Sequence, residues 1–175
     1  MIVKIVTNII LMISLVSVQM ALISGLPGFV GNLNLVLVIL IFILGFSSFN
    51  LVIIWTFSVG FLFEIFSFLP FGFYLFSLSL TIIIANWLLN YFFTNRSLYS
   101  FLALSALATI IYELIINFFI LVFLGINLSV SMADSIFWFS LLGQVGLNLL
   151  FTFIIYYIIY FLGKNLKPVF LVKKY

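Results

Sequence analysis

Charge is what this sequence lacks most. Only 5% of its 175 residues are charged, six of them basic and three acidic, whereas a soluble domain carries roughly a quarter charged residues. Hydrophobic residues make up 67% of the chain, and the mean hydropathy is +1.53. Because so few charged side chains cannot cover a soluble domain, lipid must be the solvent for most of the surface. The composition predicts an all-α, polytopic membrane protein.

Histidine and cysteine are both absent. Their absence excludes the usual ligands of zinc, haem and iron–sulfur clusters, nucleophilic catalysis by Cys or His, and any disulfide framework. The sequence also contains no glycine-rich phosphate loop and no aromatic-plus-basic surface for nucleic acid. We therefore expect no metal, no cofactor, no nucleic-acid partner and no enzymatic activity. The lipid bilayer is the first partner that the composition indicates.

Clusters of Gly, Pro, Asn and Ser divide the chain into six apolar segments close to the ~20 residues that cross a hydrocarbon core of ~30 Å. The predicted spans are 4–24, 33–46, 50–69, 72–93, 98–124 and 136–162, followed by a basic tail over 163–175. The second span is short, and the fifth and sixth are long enough to tilt. The sequence thus predicts a single domain, a bundle of about six transmembrane helices.

The basic residues predict the orientation of this bundle. With the N-terminus in the cytoplasm, all six fall on the cytoplasmic side and Asp134 falls in an external loop; the six are Lys4, Arg96, Lys164, Lys167, Lys173 and Lys174. The opposite orientation would violate the positive-inside rule at every one of them. We expect both termini to be cytoplasmic.

Polar residues recur at helical spacing in five spans, although lipid-facing positions need no polar atoms. These stripes are Thr7, Ser14, Ser17, Ala21 and Ser24; Thr56, Gly60, Glu64 and Ser67; Ser79, Asn86 and Asn90; Ser105, Thr109, Glu113 and Asn117; and Ser140, Gln144, Asn148, Thr152, Tyr156 and Tyr160. Three interpretations are open: contacts between helices, a solvated substrate cavity or proton path, and a groove for a partner's helix.

Two carboxyl groups, Glu64 and Glu113, lie inside predicted spans, where a carboxylate costs roughly 2.5 kcal/mol or more unless it is paired, protonated or hydrated. No Lys or Arg lies in the interior of a span to pair with them. We expect Glu113 to be a neutral packing group at neutral pH. Gln144 and Asn148 reach a comparable depth, so both are candidate hydrogen-bond partners of its carboxyl.

The segment "GFLFEIFSFLPFG", residues 60–72, combines a glycine, an acid, a small residue and a "PFG" corner. This pattern resembles the MreD family of bacterial rod-shape-determining membrane proteins, and "FFTNRSLYSFLALSALATIIYEL", residues 92–114, resembles the loop and helix that follow in that family. The chain length, the six spans and the early "LNLVLVILIF" helix agree with it. The family usually has aspartate where Glu64 stands, and the uncharged turn "GFSSFN" is commonly basic there.

The resemblance implies a non-enzymatic scaffold in the bacterial cytoplasmic membrane, part of the machinery for cell elongation and peptidoglycan synthesis. Its implied partner is an MreC-like bitopic protein and, through it, a peptidoglycan polymerase and transpeptidase. Glu64, just before the corner, is expected to accept hydrogen bonds from free N–H groups at the start of the fourth helix. The structural and partner-contact positions that the resemblance implies are Gly60, Glu64, Pro70, Phe71, Gly72 and Arg96.

Two other functions fit the sequence. A substrate-binding subunit of an energy-coupling-factor-type vitamin importer is also a small six-helix protein, and the polar stripes would then line an external vitamin pocket. An organelle-encoded respiratory-chain subunit fits the composition, with its 24 Phe and no His.

Overall fold

The computed structural model describes residues 2–23, 25–26, 31–93, 95–124 and 135–165. The helices are α1 (Ile2–Ser17), extended by a π-helical segment (Val18–Ile23), α2 (Leu35–Phe46), α3 (Phe49–Phe66), α4 (Phe73–Tyr91), α5 (Leu98–Leu124) and α6 (Ser135–Asn165). No strand occurs in these described ranges. The predicted all-α class is therefore confirmed.

Helices α3, α4, α5 and α6 are each long and apolar enough to cross a membrane. The apolar stretches of α1 and α2 are shorter, at Val6–Ala21 and Leu35–Phe46. The chain is therefore a multi-pass membrane protein, while a count of six spans stays a prediction. Observed helix ends lie within a few residues of the predicted ones. The basic tail beyond residue 165 and Asp134 lie outside the described residues.

Consecutive helices from α3 to α6 pack as neighbours, and short connections make α3, α4 and α5 antiparallel. We call the end of the bundle that carries residues 67–72, between α3 and α4, the corner end. The opposite end carries residues 92–97, between α4 and α5, and is called the Arg96 end. The positive-inside rule predicts that the Arg96 end faces the cytoplasm.

Helix α2 lies at the centre of the bundle, in contact with α3, α4, α5 and α6. Buried apolar residues surround most of it, and the ring of Phe101 on α5 stacks on Phe42 at 4.9 Å and on Phe46 at 5.3 Å between ring centroids. Gly45 leaves the space that this ring occupies. Helix α2 is buried over most of its surface and faces an apolar groove along Leu35, Ile39 and Ile43, which explains why its sequence is apolar on every face.

Helix α2 is also too short to fill the bundle from end to end. Its 12 residues extend roughly 18 Å at 1.5 Å per residue. Because α3 follows it at Phe49, the C-terminus of α2 lies at the Arg96 end. The N-terminus of α2 therefore lies inside the protein, and residues of other elements line the space between it and the corner end.

Hydroxyl and amide groups join α5 to α6 deep in the bundle. The Thr152 hydroxyl donates to Ser105 Oγ at 2.9 Å, and the Asn148 amide donates to Thr109 Oγ1 at 2.8 Å. All four residues are buried. For this part of the two stripes, the interpretation as helix–helix contacts is confirmed.

The polar stripe predicted on α1 does not pack against the other described helices. Thr7, Ser14 and Ser17 are exposed, and the buried face of α1 carries Met12, Leu15 and Val16 instead. The Thr7 hydroxyl donates to the Val3 carbonyl at 2.8 Å, as Ser14 does to Leu11 at 2.9 Å. Because a hydroxyl bonded within its own helix leaves no polar group to satisfy elsewhere, such residues need not face the core.

The α4 stripe is also partly wrong, because Asn90 is exposed and its amide donates to Asn86 on the same helix at 3.3 Å.

Candidate functional site

A polar cavity of about 290 Å³ lies against the N-terminal end of α2. Side chains from the π-helical segment, residues 31–34 and helices α3 to α6 surround it. Its polar lining is Gln19, Asn32, Asn34, Glu113, Ser140 and Gln144, and its aromatic lining is Phe63, Tyr74 and Tyr112. Phe63 and Tyr74 belong to the parts of α3 and α4 nearest the corner, so the cavity occupies the corner-end half of the bundle, where α2 is missing.

The floor of the cavity is the irregular backbone of residues 31–34 and the first turn of α2. Asn34 Oδ1 accepts the Leu37 N–H at 3.0 Å, Gln19 Oε1 accepts the Leu35 N–H at 2.9 Å, and Asn148 Oδ1 accepts the Asn34 N–H at 3.0 Å. Irregular backbone at membrane depth is tolerated when protein groups satisfy it in this way. Three N–H groups at this helix start are therefore already bonded to side chains.

Glu113 lies on the wall of the cavity and is half-buried. Its carboxyl accepts a hydrogen bond from the Asn117 amide at 3.2 Å and is also hydrogen-bonded to Gln144. Of its two predicted partners, Gln144 is correct and Asn148 is wrong, because Asn148 is used by Asn34 and Thr109. Glu113 faces a polar cavity, and its neutral state at neutral pH stays a prediction.

The aromatic part of the lining lies beside this carboxyl. The rings of Phe63 and Tyr74 are 5.5 Å apart between centroids, at an angle of 39°. Tyr112 precedes Glu113 on α5 and is buried, and both tyrosines are within electrostatic range of Glu113. The cavity thus combines one carboxyl group with several ring surfaces.

Glu64 lies outside this lining, in the contact between α3 and α4. It is 6% exposed, and its Oε1 accepts the Leu75 N–H in the first turn of α4 at 2.9 Å. This is the hydrogen bond expected from the position of Glu64 before the corner. Its Oε2 is buried without a hydrogen-bond partner among the described residues.

The other motif residues shape the corner. A Cβ on Gly60 would lie 3.0 Å from Leu75 Cα, so this glycine allows α3 and α4 to approach closely. Gly72 has φ +107, a left-handed conformation that favours glycine. Pro70 and Phe71 are exposed, and the Phe71 ring contacts Phe61 edge-on at 5.9 Å between centroids. The segment forms a tight helical hairpin.

The predicted positions therefore separate into three places. Gly60, Glu64 and Gly72 belong to the hairpin, whereas Glu113 and Gln144 meet at the cavity. Asn148 supports the cavity floor. Arg96 is exposed at the other end of the bundle, beside a depression of about 150 Å³ that Asn90 and Phe93 also line.

Sequence reasoning missed six polar or aromatic lining residues: Gln19, Asn32, Asn34, Phe63, Tyr74 and Tyr112. A signal existed for Asn34, since Asn directly before an apolar helical run is typical of a helix N-cap. Gln19 is out of register with the stripe assigned to α1, so helical spacing does not indicate it. The two tyrosines carry no signal in so aromatic a chain.

Among the described residues, no cluster of His, Cys, Asp or Glu is large enough to hold a metal ion. The chemistry that this lining offers is hydrogen bonding, one carboxyl charge and aromatic contact. No protein-family model matches this chain, and neither a curated protein nor a solved structure does.

Proposed function

We propose that this chain is a non-enzymatic scaffold subunit of the bacterial cell-elongation machinery, crossing the bacterial cytoplasmic membrane six times. The observation that carries the proposal is the hairpin between α3 and α4. The residues on which the resemblance to the MreD family rests include Gly60, Glu64 and Gly72, and each has a structural task there: close helix approach, capping of α4 and a left-handed turn. Structural roles for the motif residues are what we expect of a scaffold protein.

Its partner in this proposal is an MreC-like bitopic protein, through which it acts on a peptidoglycan polymerase and transpeptidase. A groove of about 600 Å³ along α1, α2 and α3 supports the presence of a helical partner. The groove is mostly apolar, with Asn8 and Ser14 on its wall. A single transmembrane helix with small or polar residues on one face would complement these groups.

Depletion in a rod-shaped host tests the function. We expect rounded, widened cells, with rods restored by re-expression of the wild-type chain. Rods of normal width after complete loss, in a host without a second copy, would contradict the proposal.

Cross-linking tests the partner surface, and the absence of cysteine in the chain makes single-cysteine variants unambiguous. Ser14→Cys in the groove should form a disulfide with a cysteine in the partner's membrane helix. Gly146→Cys, exposed on α6, is the matched control and should not. Equal cross-linking from both positions would mean that the groove is not the contact surface.

The cavity favours a second candidate, the substrate-binding subunit of an energy-coupling-factor-type vitamin importer. In that function the 290 Å³ cavity would be the substrate pocket. Copurification with paired ATPase subunits, together with a bound vitamin in the purified protein, would favour the importer over the scaffold.

A further inference from the structure

We propose that the polar cavity binds a small organic cation, an amine whose ammonium group lies between the Glu113 carboxyl and the rings of Phe63 and Tyr74. The proposal holds for a scaffold and for an importer alike, because it rests on the lining of the cavity.

The charges around the cavity determine the sign of the ligand's charge. Glu113 contributes a carboxyl, and no Lys or Arg is among the described residues that line it. A helix start attracts anions, but Asn148, Gln19 and Asn34 already accept the N–H groups of Asn34, Leu35 and Leu37. An anion would meet the Glu113 carboxyl with no basic side chain among the described lining residues to balance it, whereas a cation would meet a complementary charge.

The carboxyl has capacity left for a ligand. A bound ammonium favours the ionised form of the carboxyl beside it, and that form offers about four acceptor positions. The described partners of Glu113 are the side-chain amides of Asn117 and Gln144. These two bonds fix the orientation of the carboxyl toward the cavity. The remaining lone pairs can accept N–H groups of an ammonium.

The aromatic walls suit the same group. The face of a Tyr or Phe ring attracts a cation within roughly 6 Å of its centroid. Phe63 and Tyr74, tilted at 39° to each other, present two such surfaces on the wall formed by α3 and α4. A carboxyl and aromatic rings in the lining of one cavity select an ammonium over a neutral group of equal size.

The size of the cavity limits the ligand. Its volume of about 290 Å³ is near the lower end of the roughly 300–1,000 Å³ common for ligand pockets. Asn32, whose amide donates to Ser140 Oγ at 3.3 Å, offers hydrogen-bonding groups for a hydroxyl or ester on the ligand. A short amino alcohol, or the ethanolamine headgroup of a lipid, has this chemistry.

Equilibrium binding to the full chain in nanodiscs of phosphatidylglycerol alone tests the proposal. The probes are choline, ethanolamine, acetate and the neutral isostere of choline in which carbon replaces nitrogen. We expect saturable binding of a cationic probe and at least tenfold weaker binding of the isostere and acetate. Absence of saturable cation binding, or equal affinity for choline and its isostere, would overturn the proposal.

Two variants assign the binding to this cavity. Glu113→Gln keeps the shape and hydrogen-bonding capacity of the side chain and should lower choline affinity tenfold or more. Gly146→Ala on the exposed side of α6, with nothing near its added Cβ, should bind as the wild type does. Unchanged choline affinity in a folded Glu113→Gln protein would refute the assignment.

A second pair of variants tests the aromatic contact and keeps the proposal testable if Glu113→Gln does not fold. Tyr74→Phe keeps the ring and should retain binding, whereas Tyr74→Leu should lose it; equal binding by both would contradict the aromatic contact.

Nanodiscs that also contain phosphatidylethanolamine identify the source of the amine. Weaker apparent choline affinity in these discs assigns the cavity to a lipid headgroup, and unchanged affinity assigns it to a free amine.

Discussion

At the scale of single residues, Glu64 shows how a buried carboxyl can be kept without a basic partner. It is 6% exposed, and one oxygen accepts the Leu75 N–H at 2.9 Å. The first N–H groups of a helix have no partner inside the helix and carry partial positive charge. The acid thus satisfies a donor that the α4 sequence cannot satisfy itself, because its N-cap residue is Gly72, which has no side chain.

Substitutions of Glu64 should show whether its hydrogen-bond acceptor or its charge stabilises the hairpin. Glu64→Gln keeps an oxygen for Leu75, so we expect near wild-type abundance. Glu64→Lys presents only donors to a helix start that already has unpaired donors, so folded protein and partner association should both fall. Membrane abundance and copurification of the proposed MreC-like partner measure this. Normal accumulation of Glu64→Lys with its partner still bound would disprove the capping role.

Gly60 allows a prediction about the close packing of α3 against α4. A Cβ there would lie 3.0 Å from Leu75 Cα, a backbone atom that cannot rotate away. Gly60→Ala should therefore lower the free energy of unfolding by about 1–3 kcal/mol, the usual cost of overpacking. Denaturant titration in detergent measures the loss.

Gly146→Ala is the matched control for this substitution. Its added Cβ meets no atom within 4 Å, so only helix propensity changes, which favours Ala by about 1 kcal/mol. Equal destabilisation of both variants would mean that the α3–α4 approach is not the cause.

At the scale of elements, the short helix α2 determines where the cavity lies. A full-length helix would fill the centre of the bundle, but α2 begins at Leu35, inside it. Its start needs polar partners because the first N–H groups of a helix have no acceptor within that helix and these lie at membrane depth. Gln19 and Asn148, from the π-helical segment and α6, provide them.

Removing one of these partners should destabilise the bundle. Asn148→Leu preserves approximate volume but leaves the Asn34 N–H and Thr109 without their partner, so we expect a loss of about 1–3 kcal/mol. Thermal unfolding in detergent measures it. Asn90→Leu is the control, since Asn90 is exposed on α4, and it should change stability by less than about 0.5 kcal/mol. Equal losses would refute the supporting role of Asn148.

At the scale of the whole molecule, the orientation in the membrane determines whether the cavity is reached from outside. Basic residues favour the cytoplasm for the Arg96 end, which predicts that the corner end and its cavity face the outside. Ser131 in the predicted external loop lies beyond the described residues. Exposed positions at the two ends of the bundle serve instead as reporters.

Single cysteines report this orientation in intact cells. Phe68, fully exposed at the corner, should be labelled as Phe68→Cys by a membrane-impermeant maleimide added outside. Asn95→Cys at the other end should react only after permeabilisation. The unmodified chain contains no cysteine and gives the background. The reverse labelling pattern would invert the topology.

The helix pattern could be predicted because it depends on local properties of the chain. Length of apolar runs and breaks at Gly, Pro and Asn set the helix ends to within a few residues, as at Leu98–Leu124. The Glu64 contact was also predictable, since only a short corner separates the acid from the helix start that it caps. The α1 stripe was not, because Thr7 and Ser14 satisfy their hydroxyls within the helix, and spacing alone does not distinguish that from an inward face.

The sequence by itself determined that this protein lies in lipid, where its helices begin and end, and that α3 and α4 form a hairpin. Composition and neighbouring residues decide each of these features. Tertiary structure alone decided which polar groups meet. Glu113 and Gln144 are on different helices, and Gln19 reaches Leu35 across a separation of 16 residues. Such contacts depend on the rotation and depth of each helix in the bundle, which follow from packing on all sides. The cavity exists because α2 stops inside that packing.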